Sequence, residues 1–154
     1  MDTRELLLTQ LQAIHNKSGW FVSMSEALTG VTEEEALWKN HDRANTIWGT
    51  VNHLLYYNRS YLNRFKGQGG SPYTIDSNDE SFNNHRHDSW EDTTRAFDTL
   101  MTEWTDAVRS SNEETLSEKA SDLTHLTIHN AYHIGQIVDI RKQQGVWDDE
   151  LGVD

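Results

Sequence analysis

The chain has 154 residues and carries 25 acidic against 13 basic side chains, for a formal net charge of −12. Because nucleic acids and anionic membrane surfaces bind through Lys and Arg, we expect neither as a partner, and no apolar run approaches the roughly 18 residues of a membrane span. The length favours a single domain over residues 1–154, and the absence of Cys excludes disulfides and a nucleophilic thiol of the protein's own.

The N-terminal region is predicted to form a long helix followed by a short one. An apolar stripe at i, i+4 and i+7 predicts an amphipathic helix over residues 2–17. This charged start has neither the apolar core nor the cleavage site of a signal peptide, so we expect a cytoplasmic protein. A capping box of Thr32 and Glu35 predicts a short helix over 33–39, in which Leu37 faces inward.

A second long helix and a long connection follow. The helix is predicted over about 45–66, where a wide apolar face suits the interior of a bundle and Asn58 is its polar gap. Residues 67–88 have the Gly, Asn, Asp and Ser content of a loop. A structureless loop of this length is uncommon in a small domain, so we predict a crossover, a functional lid, or both. It is long enough to let the next helix run parallel to the last.

Two more long helices complete the predicted fold. Ser89 is the predicted N-cap of a helix over about 90–109, and a short polar link over 110–119 leads to the last helix, over 123–145. The four long helices and the crossover between the second and third predict an all-α, up-down-down-up four-helix bundle. The connection from the first long helix to the second is also long, so connectivity alone leaves other orders open.

Three histidines recur every four residues on the last helix: His125, His129 and His133. Residues at this spacing share a face, so two imidazole nitrogens can converge on one ion at about 2.0–2.1 Å each. The pair lacks the glutamate that follows the first histidine in the HExxH motif of zinc proteases. Spacing alone leaves open that these are surface histidines, and that His53 on the second long helix is simply a hydrogen-bonded residue.

Several other residues are weighed as part of a site. His125 lies further toward the polar face and is predicted to lie at the surface or behind the ligands. Trp20 and Tyr56 are further candidates for a pocket lining. The side chains near the histidine pair in helical phase that can orient ligands or line a pocket are Asn52, Tyr57, Asn130, Tyr132 and Gln136. The remaining histidines are expected to be exposed, namely His15, His41, His85 and His87.

The segment VNHLLYYN around His53 and the later segment HNAYHIGQI resemble the DinB-like superfamily. The similarity covers nearly the whole chain. It implies an up-down-down-up four-helix bundle, commonly a homodimer, that binds a divalent metal ion through three histidines. Carried over by position, the ligands are His53, His129 and His133. Nitrogen ligands suit Zn, Ni, Cu or Fe, and we expect Zn or Ni without the sequence deciding between them.

The resemblance also implies an activity. Members of the superfamily include transferases and isomerases that use a low-molecular-weight thiol, and a chain without Cys would take its thiolate from such a cosubstrate for attack on an electrophilic substrate. A metal-dependent hydrolase is the alternative chemistry. A non-catalytic metal-binding stress-response bundle and a helical interaction protein with coincidental histidines stay open, and no residue is assigned as general acid or base.

Overall fold

The computed structural model describes residues 1–153, and its secondary structure is entirely helical. The helices are α1 (Thr3–His15), α2 (Met24–Ala27), α3 (Glu33–Leu37), α4 (Ile47–Phe65), α5 (Trp90–Ser110) and α6 (Glu113–Gln144), with two 3-10 turns at Asn78–Phe82 and Asp149–Leu151. No residue of the described range 1–153 lies in a strand, and the all-α prediction is confirmed. Over the same residues, no helix combines the length and apolarity that crossing a bilayer requires.

Each of the six helices is preceded by an N-cap residue whose side chain accepts a hydrogen bond from a backbone N–H of the first turn. Asp2 and Glu5 form a capping box on α1, and the predicted box at Thr32 is present on α3. Ser89 caps α5, as predicted. At the other end of α6, Gly145 adopts a left-handed conformation with φ 76°, which glycine reaches without the steric cost of a Cβ. Local capping chemistry therefore determines where these helices start and stop.

The last helix is longer than the sequence predicted. It has 32 residues and begins at Glu113, so the polar link predicted over 110–119 is wrong for most of its length. The Asn112 side chain accepts a hydrogen bond from the Thr115 N–H at 2.9 Å and starts the helix within that polar segment. Glu and Lys are good helix formers, so a polar composition did not mean a loop here.

Two further predictions about individual residues are wrong. Leu37, predicted to face inward, is 56% exposed at the last position of α3. His15, expected to be exposed, is buried, and its Nε2 lies 2.6 Å from Asp98 Oδ1 on α5. A buried imidazole needs a polar partner, and the carboxylate of the neighbouring helix supplies one.

A hydrophobic core fills the space between the long helices, and α1 and α4 each pack against both α5 and α6. Two fully buried side-chain amides join α4 to α6 within it. Asn58 Nδ2 donates to Asn130 Oδ1 at 2.8 Å, and Asn130 Nδ2 donates to Asn58 Oδ1 at 2.9 Å. Trp104 Nε1 on α5 donates to the backbone carbonyl of Asn58 at 3.1 Å. The polar gap in the apolar face of α4 is therefore a polar contact between helices.

Hydrogen bonds at the helix ends indicate which ends adjoin. Arg4 Nη1, near the start of α1, donates to the Val108 carbonyl near the end of α5 at 2.7 Å. Arg4 Nη2 pairs with Glu113 Oε1 at the start of α6 at 2.6 Å. Trp48 Nε1, near the start of α4, donates to Thr93 Oγ1 near the start of α5 at 3.1 Å. The starts of α1 and α6 thus lie together, as do the starts of α4 and α5.

Candidate metal centre

Three histidine side chains from α4 and α6 converge between these helices. His53 Nε2 lies 3.1 Å from His129 Nε2, and His133 Nε2 also lies 3.1 Å from His129 Nε2. The ligand atoms all lie within 4.8 Å of one another, so the group could hold a metal ion. His53 and His133 are buried and His129 is half-buried. The structure therefore brings together the three residues that the family resemblance implies as ligands.

The geometry of two helices explains why these side chains meet. His129 and His133 are one turn apart on α6, and their ring centroids lie 4.6 Å apart. His53 on α4 places its ring centroid 5.0 Å from that of His129 and 4.6 Å from that of His133. The Asn58–Asn130 amide pair, whose second member follows His129 in the chain, fixes α4 against α6 beside this meeting point.

Hydrogen bonds on the outer side of two imidazoles determine which nitrogen carries the proton. The Ser81 hydroxyl donates to the Asn78 carbonyl at 2.5 Å, so its oxygen accepts from His53 Nδ1 at 2.7 Å. Gln136 Oε1, which can only accept, lies 2.7 Å from His133 Nδ1. Both imidazoles therefore carry their proton on Nδ1 and direct an Nε2 lone pair toward His129.

The arrangement of these lone pairs suits a bound cation better than hydrogen bonding among the three imidazoles. His53 and His133 both direct an acceptor at His129 Nε2, and that nitrogen has at most one hydrogen to donate. At least one pair of nitrogens would therefore lack a well-directed hydrogen between them. Nitrogens each about 2.0–2.1 Å from one ion lie roughly 3 Å apart, which agrees with the observed separations of 3.1 Å. The donor set thus suits a divalent ion bound through imidazole.

Burial keeps the three imidazoles in the neutral form that binds metal. Burial, aided by the neighbouring His133 and His129, lowers the pKa of His53 to about 3. Burial and the nearby His133 lower the pKa of His129. Burial also lowers the pKa of His133, against the opposing effect of its hydrogen bond to Gln136. The site therefore does not have to release protons from its ligands at neutral pH.

The metal-free protein is expected to lose stability as the pH falls below about 6.5. The folded state holds the pKa of His53 at about 3, whereas the unfolded chain protonates it near 6.5, so the unfolded state binds more protons between these values. One such site lowers the free energy of unfolding by about 1.4 kcal/mol per pH unit in this window, and His129 and His133 act in the same direction. Urea titrations across the window measure this slope, which should be shallower in His53→Gln. Equal slopes for the two proteins would contradict the expected titration.

The crossover contributes directly to the site through its 3-10 turn, Asn78–Phe82. The Phe82 ring stacks on His53 with centroids 4.3 Å apart and planes 12° from parallel. A Cβ at Gly49 would lie 3.1 Å from Thr46 Oγ1 and 3.4 Å from the Phe82 carbonyl oxygen, so the tighter contact is with the residue that caps α4. Sequence reasoning missed Ser81 and Phe82, because contacts from a loop leave no periodic signal.

Replacement of Ser81 by Ala is expected to weaken Zn²⁺ binding by about 10- to 100-fold. The change removes the acceptor for His53 Nδ1–H, so the imidazole is free to rotate or to carry its proton on Nε2. Competition with a chromophoric chelator measures the affinity. Ser77→Ala is the matched control, because Ser77 is exposed at the start of the same turn and makes no capping hydrogen bond. Affinity within about twofold of wild type in Ser81→Ala would contradict the orienting role.

The other residues predicted near the histidine pair have different surroundings. Tyr57 contacts His53 edge to face, with ring centroids 4.9 Å apart. Gln136 bonds His133, as described above. Asn52 Nδ2 lies 3.5 Å from the Phe82 carbonyl, at the long end of hydrogen-bond distances. Asn130 directs its amide at Asn58 in the core, so it stabilises the helix pair that carries the histidines.

The aromatic residues considered for a pocket lie in contrasting positions. Trp20 is fully exposed, so it lines no enclosed pocket. Tyr132 is 65% exposed and packs edge to face on His133, with centroids 5.1 Å apart. Tyr56 is buried between Tyr57 and Tyr73. The histidines that are exposed are His41, His85, His87 and His125, the first three as predicted and the last in agreement with a surface position.

A cavity of about 330 Å³ lies in front of His53 and His129, between α4 and α6. Its other lining residues are Tyr57, Tyr61, Asn78, Asp122, His125 and Leu126. A larger cavity of about 660 Å³ lies between α4, the crossover and α5, and the three histidines are not among its lining residues. The smaller cavity is therefore the one through which a ligand would reach the histidine nitrogens.

The fold is all-helical, and three neutral imidazoles meet between two of its long helices. The protein is therefore a helical protein with a candidate metal centre. Comparison of the sequence with known families points the same way. The family described as the DinB superfamily matches residues 22–137, and the chain belongs to this superfamily. The resemblance inferred from the two histidine segments is thereby confirmed. No curated protein and no solved structure matched the chain in the corresponding comparisons.

Proposed function

We propose that His53, His129 and His133 hold one divalent metal ion, Zn or Ni, and that the protein is a metal-dependent transferase acting with a low-molecular-weight thiol. The observation that supports the ion most strongly is the convergence of three Nε2 atoms, two of them on imidazoles whose protons are fixed on Nδ1. When bound, the ion would supply a Lewis acid that lowers the pKa of a coordinating thiol or water.

Residues of this chain would orient the ligands and limit access to them. Ser81 and Gln136 hold two of the imidazoles in the binding tautomer. Phe82 covers one face of His53, which keeps water from that side. The cavity of about 330 Å³ leaves an approach to His53 and His129 open for a small molecule. Since the chain has no Cys, a thiol nucleophile would have to come from that second molecule.

A cobalt-substituted sample tests the thiol part of the proposal. Addition of 2-mercaptoethanol is expected to change the visible spectrum, because a sulfur ligand joining the nitrogen set alters the d–d bands and adds sulfur-to-metal charge transfer. The His41→Ala variant should respond in the same way, since its imidazole is exposed and lies outside both the three-histidine group and the cavity lining. An unchanged spectrum at roughly millimolar thiol, about a thousandfold over micromolar protein, would contradict thiol coordination.

A metal-dependent hydrolase is the second candidate. His129 is only half-buried and borders the cavity, so water has access to the same nitrogens. Hydrolysis would need no thiol, and turnover of ester or amide substrates by metal-loaded protein without added thiol would favour it. Metal binding with neither activity would favour a non-catalytic metal-binding bundle.

We also propose an up-down-down-up order for the four long helices, within a single cytoplasmic domain that forms a homodimer. The contacts of Arg4 with Val108 and Glu113 support antiparallel α1 and α5 and parallel α1 and α6. The bond between Trp48 and Thr93 supports parallel α4 and α5. The homodimer is carried over from the superfamily, and sedimentation equilibrium of purified protein would reveal a monomer if it is wrong.

A further inference from the structure

The cavity in front of the three histidines has an uneven distribution of charge. Among the described residues that line it, Asp122 is the one carboxylate, and there is no Lys or Arg. The rest of the lining is aromatic, apolar, amide or imidazole. One candidate polar group is already engaged, because the Asn78 side chain accepts from the Tyr57 hydroxyl at 2.8 Å. Asp122 is thus the free charged group that a ligand in this cavity would meet.

The carboxylate lies at the end of the cavity furthest along α6 from the metal ligands. Asp122, His125 and His129 follow at i, i+3 and i+7, which places them on one face of the helix. Seven residues correspond to about 10.5 Å along the axis at 1.5 Å per residue. A ligand that reaches from His129 to Asp122 therefore needs an extended chain of roughly this length.

The Asp122 end of this cavity favours a cation over an anion. The Tyr57 ring lines it, and the face of an aromatic ring attracts a cation. The Tyr61 ring already carries the Arg64 guanidinium, 4.9 Å from its centroid. The chain as a whole carries a formal net charge of −12, which attracts small cations and repels small anions. A carboxylate or phosphate on a ligand would meet no complementary charge among the lining residues.

We propose that this cavity recognises small primary amines, with the ammonium group at Asp122 and beside the ring of Tyr57. This rests on the proposed function in one respect: where the ligand is the thiol cosubstrate, it is an aminothiol with no net negative charge. Thiols that carry several carboxylates are disfavoured. The sulfur end lies toward His53 and His129, and the amine end lies toward Asp122.

Metal-free protein tests the charge preference by itself. Calorimetry compares 2-phenylethylamine with 3-phenylpropionate, which match in size and differ in charge. The amine is expected to bind about fivefold more tightly, as a partly exposed ion pair and a cation–π contact allow. In Asp122→Asn the preference should fall below about twofold. Asp139→Asn is the matched control, because Asp139 is exposed on the same helix and outside the cavity lining.

Three results would overturn the amine assignment: no binding of either probe, equal or tighter binding of the anion, or an unchanged preference in Asp122→Asn. Cobalt-substituted protein provides the second arm, with 6-amino-1-hexanethiol expected to change the spectrum at lower concentration than 6-mercaptohexanoate. An amine preference in metal-free protein with no cobalt response to either thiol would support the cavity assignment and overturn the thiol proposal. Equal cobalt responses to both thiols, without an amine preference in metal-free protein, would do the reverse.

Discussion

Replacement of His53 by Ala is expected to abolish the stabilisation that a divalent ion gives to the folded protein. An ion that binds only the folded state raises the free energy of unfolding by about 4 kcal/mol at a thousandfold excess over its Kd. His53 is the ligand from α4, so without it only the pair on α6 remains. Two imidazoles on one helix bind an ion without joining α4 to α6, and both affinity and stabilisation should fall.

Urea unfolding with and without Zn²⁺ measures this effect. The wild-type protein should gain about 4 kcal/mol at saturating ion, and His53→Ala should gain less than about 1 kcal/mol. His125→Ala is the matched control, because it removes an exposed imidazole from the same row on α6 without touching the three convergent Nε2 atoms. Equal metal-dependent gains in wild type and His53→Ala would mean that the ion binds elsewhere.

Replacement of Asn58 by Leu is expected to lower the free energy of unfolding by about 3 kcal/mol. Asn58 is fully buried and exchanges two hydrogen bonds with Asn130. Leu has a similar branched shape, so the main cost is polar: Asn130 Oδ1 loses its donor in a site without room for hydration. The Asn130 amide keeps its bond to the Leu126 carbonyl, which limits the loss.

A double-mutant cycle separates this polar cost from packing. Asn130→Leu alone should cost a similar amount, because Asn58 Oδ1 loses its donor while the Asn58 amide keeps its bond to the Leu54 carbonyl. The double variant Asn58→Leu/Asn130→Leu should recover a large part of the loss, since two apolar groups of matched shape leave no buried polar atom without a partner. Additive losses in the double variant would show that the pair contributes through shape and not through its mutual hydrogen bonds.

The helices that local chemistry encodes were predictable from the sequence. The capping box at Thr32, the N-cap at Ser89 and the apolar stripes each act within a few residues, so a single sequence carries them. The start of α6 was missed because polar residues with good helix propensity resemble a loop in composition. The burial of His15 depends on Asp98, a residue of another helix, so no local sequence pattern predicts this burial.

The candidate site likewise combines features local to one helix, which the sequence predicts, with contacts between elements, which it does not. The spacing of His129 and His133 is a local feature of one helix, while the choice of His53 as their companion came from the family resemblance and not from periodicity. Ser81 and Phe82 reach His53 from the crossover, and their contacts depend on how that segment folds back over α4. The Asn58–Asn130 pair joins two helices far apart in the chain. A polar residue in an apolar stripe does not indicate which residue it will contact.

The metal content of tag-free protein tests the central claim most directly. After saturation with Zn²⁺ and removal of free ion, elemental analysis should find about one ion per chain in wild type and in His125→Ala, and below about a tenth of that in His53→Ala and His129→Ala, as expected when a three-ligand site loses a ligand. One ion per chain retained in both His53→Ala and His129→Ala, or none in the wild type, would contradict a metal centre formed by these three histidines.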